Sequence, residues 1–382
     1  MNILVIPTWY PNGEDMLMGI YHKEFCEALS KRDNIKVNML FIERERLSSP
    51  LKYLFMKKNY VIEENGYKTY VKRMLNVERI NFDIQINRYV KVLDKAFNAY
   101  LKENPKPDVI HAMVTIPAGY AACILGAKYH IPVVVTEHAT YYKDFYNQDK
   151  MKYTEFVLKN AYYTSVSKYM LNDLPDYVKN SKWLPNLVDT KSFMLKRKKI
   201  NGLHIAKVCA FRKGKRVEDL LSALKIIVDE NKISDVSLTI VGDGYLKEFY
   251  QEKCRELGLE QYVTFTGRKT KEEIAQILNE SNIFVITSSN ETFCIPGIEA
   301  LASGMPVVST KCFGPEEYID NNCGKLVEIG DTKQLAQAIM DVYQNINSYD
   351  INYLRSIANR YSAQNVTDIA INIYKELIRE EK

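Results

Sequence analysis

Residues 287–310 read TSSNETFCIPGIEALASGMPVVST and contain the clearest structural pattern in the chain. An apolar strand ends near Thr287, a loop with Glu291 follows, and Pro296 lies in the first turn of the next helix. Proline fits this position because its missing N–H would have no partner within the helix. Gly304-Met305-Pro306 then leads into a second strand. A strand, a helix and another strand in this order predict a parallel α/β unit.

The same alternation recurs through both halves of the chain. In the first half, the predicted strands are Ile3–Ile6, Ile35–Ile42, Val109–Met113, Val133–Thr136 and Tyr163–Val166. In the second half, they are Ile205–Cys209, Ser237–Val241, Val263–Thr266, Ile283–Thr287 and Val307–Ser309. Helical segments separate the strands, and a length of 382 residues suits two domains. The sequence therefore predicts an α/β protein with two Rossmann-like, doubly wound parallel-sheet domains.

We place the first domain at 1–186 and the second at 200–360, with 187–202 as a linker. A polar stretch at 48–80 interrupts the first half, and we interpret it as an insertion with a hairpin turn at Asn65-Gly66. Ligands of doubly wound sheets bind at the carboxyl ends of the strands. Two such domains facing each other predict a site in the cleft between them.

The loop before the helix of 287–310 has the features of a site for an anion. Its amides lie at the positive end of the helix dipole, which favours a phosphate or a carboxylate. Glu291 in the loop and Glu299 on the helix could accept hydrogen bonds from sugar hydroxyls. An ordinary helix with one capping and one surface glutamate would give the same pattern. The residues alone leave both interpretations open.

Composition and cysteine usage limit the class of protein. No run of 18 apolar residues is present, and the N-terminus reads as a strand rather than a signal peptide. The seven cysteines are scattered without a C-x-x-C pair, which favours reduced thiols over disulfides or a zinc site. We therefore expect a cytoplasmic protein, and nothing in the pattern indicates a nucleic-acid partner.

Positive charge is concentrated in the first half of the chain. Residues 1–185 carry 26 Lys and Arg against 20 Asp and Glu, whereas the remainder carries 26 against 27. A solvated surface would explain this asymmetry, and so would attraction to anionic lipid or to a phosphorylated acceptor. The stretch at 48–80 mixes apolar and basic residues in a way that suits a headgroup boundary. These residues are Leu51, Lys52, Tyr53, Leu54, Phe55, Met56, Lys57 and Lys58.

Residues 287–310 also resemble the donor-binding signature of retaining glycosyltransferase family four, roughly E-G-F-G-L-x-x-L-E-A-M-A-x-G-x-P-V-V. The matching residues are Glu291, Phe293, Glu299, Ala300, Ala302, Gly304, Pro306, Val307 and Val308. Thr292 and Cys294 stand where the family has glycines, which let the backbone approach the donor closely. The resemblance implies the GT-B architecture and transfer with retention. It makes Glu291 the residue that orients the sugar and Glu299 the ligand of the ribose.

The same resemblance assigns further residues to the donor. Phe293, Cys294 and Ile295 are expected to lie beside the donor. We also expect Glu291→Ala to leave the fold intact, because a loop carboxylate contributes little to a core. The segment 208–223, VCAFRKGKRVEDLLSA, resembles the loop in which an arginine and a lysine hold the diphosphate. Lys215 aligns with that lysine. The usual arginine position falls on Ala210, and Arg212 is expected to supply the charge instead, as in the N-F-R-x-x-K-R variant of bacillithiol-pathway glycosyltransferases.

Fixed cations at this loop would stabilise the leaving nucleoside diphosphate. A solvated basic turn would have the same sequence pattern. Weaker matches lie elsewhere. Gly19 resembles the family glycine that meets the donor phosphates, and Arg268 follows the strand beside which the family holds the nucleobase. His138 in Thr136-Glu137-His138 resembles a histidine close to the transferred sugar, although a histidine at a strand end is often structural. Segment 361–382 is expected to cross back onto the first domain.

These observations predict a retaining glycosyltransferase with a nucleotide-diphosphate sugar, most simply a UDP-sugar, as donor. The acceptor would be a sugar or a lipid-linked molecule in the synthesis of a surface polysaccharide or glycolipid, since Trp9-Tyr10-Pro11 resembles exopolysaccharide-type members. No D-x-D pair occurs, so we expect no metal and no other cofactor. Peripheral binding to an anionic membrane stays open. A nucleotide-sugar epimerase or hydrolase and a non-catalytic nucleotide-sugar-binding module are the alternatives.

Overall fold

A computed structural model describes residues 1–11, 18–46, 53, 55–78, 81–140, 142–178, 180–196, 200–231, 233 and 235–380. The chain divides into two compact units. The first contains Met1–Leu187 and Val366–Lys382, and the second contains Val188–Asn365. Each unit has its own largely parallel sheet, which confirms the predicted α/β architecture with two such sheets.

The sheet of the first unit is built around the N-terminal strand. Its strands are β1 (Asn2–Pro7), β2 (Lys36–Arg46), β3 (Asn59–Glu63), β4 (Lys68–Asn76), β5 (Val109–Met113), β6 (Val133–Glu137), β7 (Tyr162–Ser165) and β8 (Ser181–Trp183). They lie in the order β3-β4-β2-β1-β5-β6-β7-β8. Because β2 and β5 flank β1 on opposite sides, the direction of winding changes at β1 and β5. In doubly wound sheets, such a switch point is where ligands bind.

Helices cover this sheet and bury its apolar residues. They are α1 (Ile20–Ser30), α2 (Phe82–Tyr100), α3 (Tyr120–Tyr129), α4 (Gln148–Asn160) and α5 (Lys168–Asn172). The start of α2 is fixed by Asn81, whose side chain accepts a hydrogen bond from the Ile84 amide at 2.8 Å. One face of α2 then places Tyr89, Leu93 and Phe97 in the core.

The stretch at 48–80 extends the sheet, which differs from the predicted insertion. Strands β3 and β4 form the expected antiparallel hairpin around Gly66, whose φ is 91°. However, β4 also pairs in parallel with β2 along nine residues. Thr69 and Val71 are buried on one face of β4, and Met74 is buried on the opposite face, so both faces of this strand are partly covered. Residues 47–52, 54, 79 and 80 lie outside the described parts of the chain.

The second unit contains a parallel sheet in the order β11-β10-β9-β12-β13-β14. Its strands are β9 (Leu203–Val208), β10 (Val236–Val241), β11 (Val263–Gly267), β12 (Ile283–Ile286), β13 (Val307–Thr310) and β14 (Gly324–Val327). Its helices are α6 (Thr190–Phe193), α7 (Val217–Asn231), α8 (Lys247–Glu256), α9 (Lys271–Asn279), α10 (Ile295–Ala302), α11 (Thr332–Gln344) and α12 (Ile351–Asn359). The sequence analysis identified neither β14 nor α12. The four residues of β14, Gly324–Val327, include a glycine and a lysine and do not form an apolar run.

The described part of the segment predicted as a linker contains the short helix α6. Asp189 caps the N-terminus of α6, and its carboxylate accepts hydrogen bonds from the Ser192 amide and hydroxyl at 3.4 and 2.6 Å. Phe193 is fully buried, so the segment is anchored in the second unit. Arg197, Lys198 and Lys199, in the basic run, lie outside the described residues.

The last helix, α13 (Ala363–Glu380), contributes to the first unit from Val366 onward. The Tyr374 hydroxyl lies 2.6 Å from Nδ1 of the buried His111 on β5. Lys182 on β8 forms an ion pair with Glu376 at 2.5 Å. Within the described parts of the chain, none of the helices combines the length and the apolar character that crossing a membrane requires.

Candidate active site

The loop after β12 holds Glu291 in a fixed place. The Glu291 amide donates to the Cys312 carbonyl at 2.9 Å, and the Glu291 carbonyl accepts from the Gly314 amide at 2.9 Å. These bonds tie the loop to the segment that follows β13. The side chain is buried, and its Oε1 accepts a hydrogen bond from the Ser288 hydroxyl at 2.6 Å. The Glu291 carboxylate is therefore part of the packed interior of the second unit.

Lys215 provides the counter-charge for this carboxylate. Its Nζ donates to Glu291 Oε1, and the two side chains are only 14% and 9% exposed. Burial alone would raise the pKa of Glu291, but Lys215 and the Ser288 hydroxyl outweigh it, so the pKa lies below the ordinary value. Likewise, burial would lower the pKa of Lys215, and Glu291 raises it instead. Both groups are ionised at neutral pH. The sequence analysis expected a loop carboxylate with little role in the core, whereas the structure places this carboxylate in a largely buried ion pair.

A second lysine, which the sequence analysis did not identify, lies close to the pair. Lys207 on β9 is 2% exposed, and its Nζ donates to the Thr287 hydroxyl at 2.8 Å. Thr287 Oγ1 in turn lies 2.9 Å from the Lys215 carbonyl and 2.7 Å from the Arg216 carbonyl. The sequence did contain a signal for Lys207, which lies inside the apolar run of a central strand. Because charged residues are rarely buried without a partner, a lysine at such a position indicates a specific partner.

Arg212 precedes this cluster on the loop after β9. Its side chain is exposed, whereas the neighbouring Phe211 is buried against Tyr250 with ring centroids 5.6 Å apart. The Ser289 amide donates to the Gly214 carbonyl at 2.8 Å, which joins this loop to the loop of Glu291. Of the two cations assigned to the diphosphate, Lys215 is thus paired and only 14% exposed, and Arg212 faces solvent.

Helix α10 starts at the residues assigned to the donor. Cys294 precedes the helix with a φ of 69°, in the left-handed region that favours glycine. Burial, and next the Glu291 carboxylate, raise the pKa of its thiol well above the usual value, so the thiol stays protonated. Ile295 is the half-buried first residue of the helix, and Glu299 lies on its buried side. Phe293 packs into an aromatic cluster, 5.2 Å from the ring of Tyr361.

His138 lies in the first unit, directly after β6. Its Nδ1 is 3.0 Å from the Asn186 side-chain oxygen, and its ring centroid is 4.9 Å from Tyr21 and 5.0 Å from His22. Burial lowers the pKa of His138 to about 3, although the hydrogen bond with Asn186 opposes this. The same cause lowers the pKa of His111 to about 3. His138 is therefore a neutral imidazole at physiological pH.

The backbone around His138 is held by Glu137. The buried carboxylate accepts hydrogen bonds from the amides of His138, Ala139 and Thr115 at 2.8, 2.7 and 3.0 Å. It also accepts one from the Thr115 hydroxyl at 2.5 Å. These bonds fix the loop that presents His138. The sequence analysis overlooked Glu137, because a carboxylate at a strand end more often faces solvent.

Gly19 and Arg268 are the two remaining residues that were assigned to the donor. Gly19 precedes α1 with a φ of 73°, and Tyr21 and His22 of that helix contact His138, so Gly19 and His138 belong to one region. Arg268 is exposed just after β11. Within the described residues, no group of three or more His, Cys, Asp or Glu side chains could hold a metal ion. The expected independence of metal stays a prediction.

Two family comparisons match successive parts of the chain. The family described as "Glycosyltransferase Family 4" matches residues 63–192, and the family described as "Glycosyl transferases group 1" matches residues 195–353. The first match falls mainly in the first unit, and the second match includes Lys215, Glu291 and the start of α10. The matched region thus contains most of the residues assigned to the donor.

Individual relatives and structures agree with these matches. The chain is 27% identical to N-acetyl-alpha-D-glucosaminyl L-malate synthase of Bacillus anthracis, over 72% of this chain and 76% of the relative. It is 26% identical to an uncharacterized glycosyltransferase of Methanocaldococcus jannaschii, over 74% and 78%. Among solved structures, the sucrose-phosphate synthase of Thermosynechococcus elongatus has a TM-score of 0.76 at 18% identity over the full length of both chains.

The Anabaena protein HepE in complex with UDP has a TM-score of 0.71 at 17% identity, over 99% of this chain and 100% of that one. These two structural similarities show a glycosyltransferase fold of the GT-B type. The two family models together match residues 63–192 and 195–353, so most of the chain is similar to the family 4 and group 1 glycosyltransferases.

Proposed function

We propose that the protein transfers a sugar, with retention, from a nucleotide-diphosphate sugar to an acceptor, and that the donor is a UDP-sugar. The observation that carries this proposal is the buried pair of Lys215 and Glu291 beside the start of α10. A lysine and a carboxylate at the amino end of a helix suit a ligand that combines phosphate with hydroxyls. The solved HepE complexes contain UDP or UDP-glucose, which favours a uridine donor.

Each residue then has a separate role. Lys215 and Arg212 would neutralise the diphosphate, and Arg212 is exposed and thus accessible to a ligand. Glu291 would accept hydrogen bonds from the sugar hydroxyls, and Glu299 from the ribose. His138 would lie near the transferred sugar as a neutral imidazole, able to donate or accept a hydrogen bond but carrying no charge.

The reaction breaks the bond between the anomeric carbon and the diphosphate oxygen, whose electron pair leaves with the nucleoside diphosphate. An acceptor hydroxyl forms the new bond to the anomeric carbon, and its proton leaves with the departing phosphate or with water. Charge accumulates on the diphosphate in the transition state, so preorganised cations there lower the barrier. This chemistry needs no step through a metal.

Titration with UDP, GDP and ADP, followed by turnover assays with the matching nucleotide sugars, tests the proposal. We expect UDP to bind most tightly, and Glu291→Gln to cut turnover by about a hundredfold, the scale of one preorganised contact. Glu328→Gln, in an exposed ion pair of the same unit, is the control. NMR of the product reports the anomeric configuration. Inversion, isomerisation of the donor without an acceptor, or donor binding without any turnover would each contradict the proposal.

We also propose that the first unit binds anionic membrane surfaces. Within the described part of 48–80, Phe55 is 90% exposed and is followed by the exposed Lys57 and Lys58. An exposed aromatic residue beside lysines suits a lipid headgroup boundary, where each basic residue adds about 1 kcal/mol. Co-sedimentation with phosphatidylglycerol vesicles should fall at high salt and in the variant Phe55→Ser/Lys57→Ser/Lys58→Ser. Absence of sedimentation at low salt would refute this membrane role.

A further inference from the structure

Lys207 places a second positive charge inside the second unit. It lies on β9, an inner strand of the sheet, and is 2% exposed. Its Nζ donates to the neutral Thr287 hydroxyl at 2.8 Å, and within the described parts of the chain it forms no ion pair. Lysines are almost never buried without a charged partner. The position of Lys207 therefore indicates a role beyond packing.

Hydrogen bonds place this charge beneath the loop of Lys215. The Thr287 hydroxyl that accepts from Lys207 lies 2.9 Å from the Lys215 carbonyl. The next residue, Ser288, donates its hydroxyl to Glu291 Oε1 at 2.6 Å. Against the effect of burial, Lys215, Ser288 and Lys207, in that order, lower the pKa of the Glu291 carboxyl. Lys207 thus acts on Glu291 through its charge, from the side opposite to solvent.

The other titratable groups that interact electrostatically with Glu291 are neutral. They lie just after β9, at the start of α10 and on the segment that follows β13. Burial raises the pKa of each of them above its usual value, so each keeps its proton at pH 7. These groups are Cys209, Cys294, Cys312 and Tyr318. Among the described residues, two lysines therefore face one carboxylate, and the excess charge is positive.

Binding of a nucleotide-diphosphate sugar would change this balance. The two hydrogen bonds from the Lys215 ammonium and the Ser288 hydroxyl both end on Oε1 of Glu291, which leaves Oε2 to accept from a sugar hydroxyl. A diphosphate would compete for Lys215 and bring negative charge toward Glu291, and a like charge favours protonation of a carboxylate. The proton would bind Oε2, because two donors already occupy Oε1. Oε2 would then be a donor instead of an acceptor.

We propose that Lys207 is a positioning residue of the sugar transfer, whose buried ammonium keeps Glu291 a hydrogen-bond acceptor while the diphosphate occupies Lys215. This inference rests on the proposed function, because it assigns a further residue to that reaction. Lys207 acts through Glu291, since a side chain with so little exposed surface offers nothing to a ligand directly. The buried excess of positive charge is compensated when the anionic donor binds.

Lys207→Met tests the proposal, because it removes the charge and keeps a side chain of similar volume, a change that buried sites often tolerate. We expect the melting temperature to be retained and kcat to fall at and below neutral pH. The ratio of variant to wild-type kcat should rise about tenfold or more from pH 6 to pH 8.5, since one pH unit in the ionisation of Glu291 corresponds to about tenfold. A loss of equal size at every pH would overturn the proposal.

Two further variants separate the charge from other effects. Lys207→Gln keeps an N–H donor near Thr287 but carries no charge, so it should show the same pH-dependent loss as Lys207→Met. If Lys207→Gln behaves like the wild type, the hydrogen bond and not the charge is required, and the proposal is wrong. Lys325→Met is the control, because it removes a lysine of β14 whose partner is Asp341 at 2.5 Å. It should change neither kcat nor its pH dependence.

A second readout does not depend on turnover. Carbon-13 NMR of labelled glutamate carboxyls follows the protonation of Glu291, whose signal is identified by its absence in Glu291→Gln. We expect Glu291 to take up its proton at a higher pH in Lys207→Met than in the wild type, and UDP to enlarge this difference. Equal titration in both proteins would overturn the proposal. Absence of UDP binding and of turnover in the wild type would count against the proposed function, whereas the titration without UDP would still decide the role of Lys207.

Discussion

Breaking the pair of Lys215 and Glu291 should destabilise the second unit strongly. The two side chains are 14% and 9% exposed, so removing one partner leaves the other charge buried without compensation. Such a change typically costs about 3–5 kcal/mol. We therefore expect Lys215→Met and Glu291→Gln each to lower the free energy of unfolding by that amount. The double variant should cost less than the sum, with a coupling energy of about 1–3 kcal/mol.

The assay is urea unfolding followed by circular dichroism, with the transitions of the two units fitted separately. Lys311 and Glu328 supply the matched control, because they form an ion pair in the same unit while 48% and 59% exposed. An exposed pair contributes about 0–1 kcal/mol, so Lys311→Met should have little effect. If Lys215→Met costs no more than Lys311→Met, or if the two single costs add in the double variant, the interpretation of a coupled buried pair is wrong.

The pH dependence gives the same prediction a second readout. The pKa of Glu291 is lowered in the folded state, so its contribution to stability is present above the ordinary pKa of 4.5 and is lost as pH falls through the folded pKa. The stability difference between wild type and Glu291→Gln should therefore shrink between pH 7 and pH values below 4.5. The double variant Lys215→Met/Glu291→Gln should recover stability without recovering binding of UDP.

Four further predictions concern other parts of the molecule. Activity should persist in excess EDTA, and a full loss that manganese or magnesium reverses would contradict the metal-free mechanism. Arg212→Ala should weaken the affinity for UDP, measured by calorimetry, with little change in melting temperature because its side chain is exposed. Burial lowers the pKa of His22 well below 6.5, so below pH 6.5 the unfolded state binds a proton that the folded state does not. The free energy of unfolding should therefore decrease as the pH falls below 6.5, by up to about 1.4 kcal/mol per pH unit. His22→Asn should reduce this pH dependence, measured by urea unfolding. Gly19→Ala should destabilise the fold more than Gly258→Ala, because both have positive φ but only the first would place Cβ 2.6 Å from a backbone oxygen, that of Trp9.

The sequence alone determined the architecture and the order of most strands and helices. Parallel strands buried on both faces appear as short apolar runs, and the helices between them carry their own periodicity, so local patterns were sufficient. The segment 287–310 also identified Glu291, and the segment 208–223 identified Lys215, because the resemblance lies in contiguous residues. The sequence could not show that the two form one buried pair, since they are 76 positions apart.

Tertiary structure alone decided which side chains became buried and which partners they found. Lys207 meets Thr287 across 80 residues, and His111 meets Tyr374 across 263. The stretch at 48–80 joined the sheet through β4 because pairing with β2 satisfies a row of backbone groups, a gain that no local pattern reports. Local signals extend over a few residues, whereas burial and hydrogen bonding depend on neighbours brought together by the whole fold.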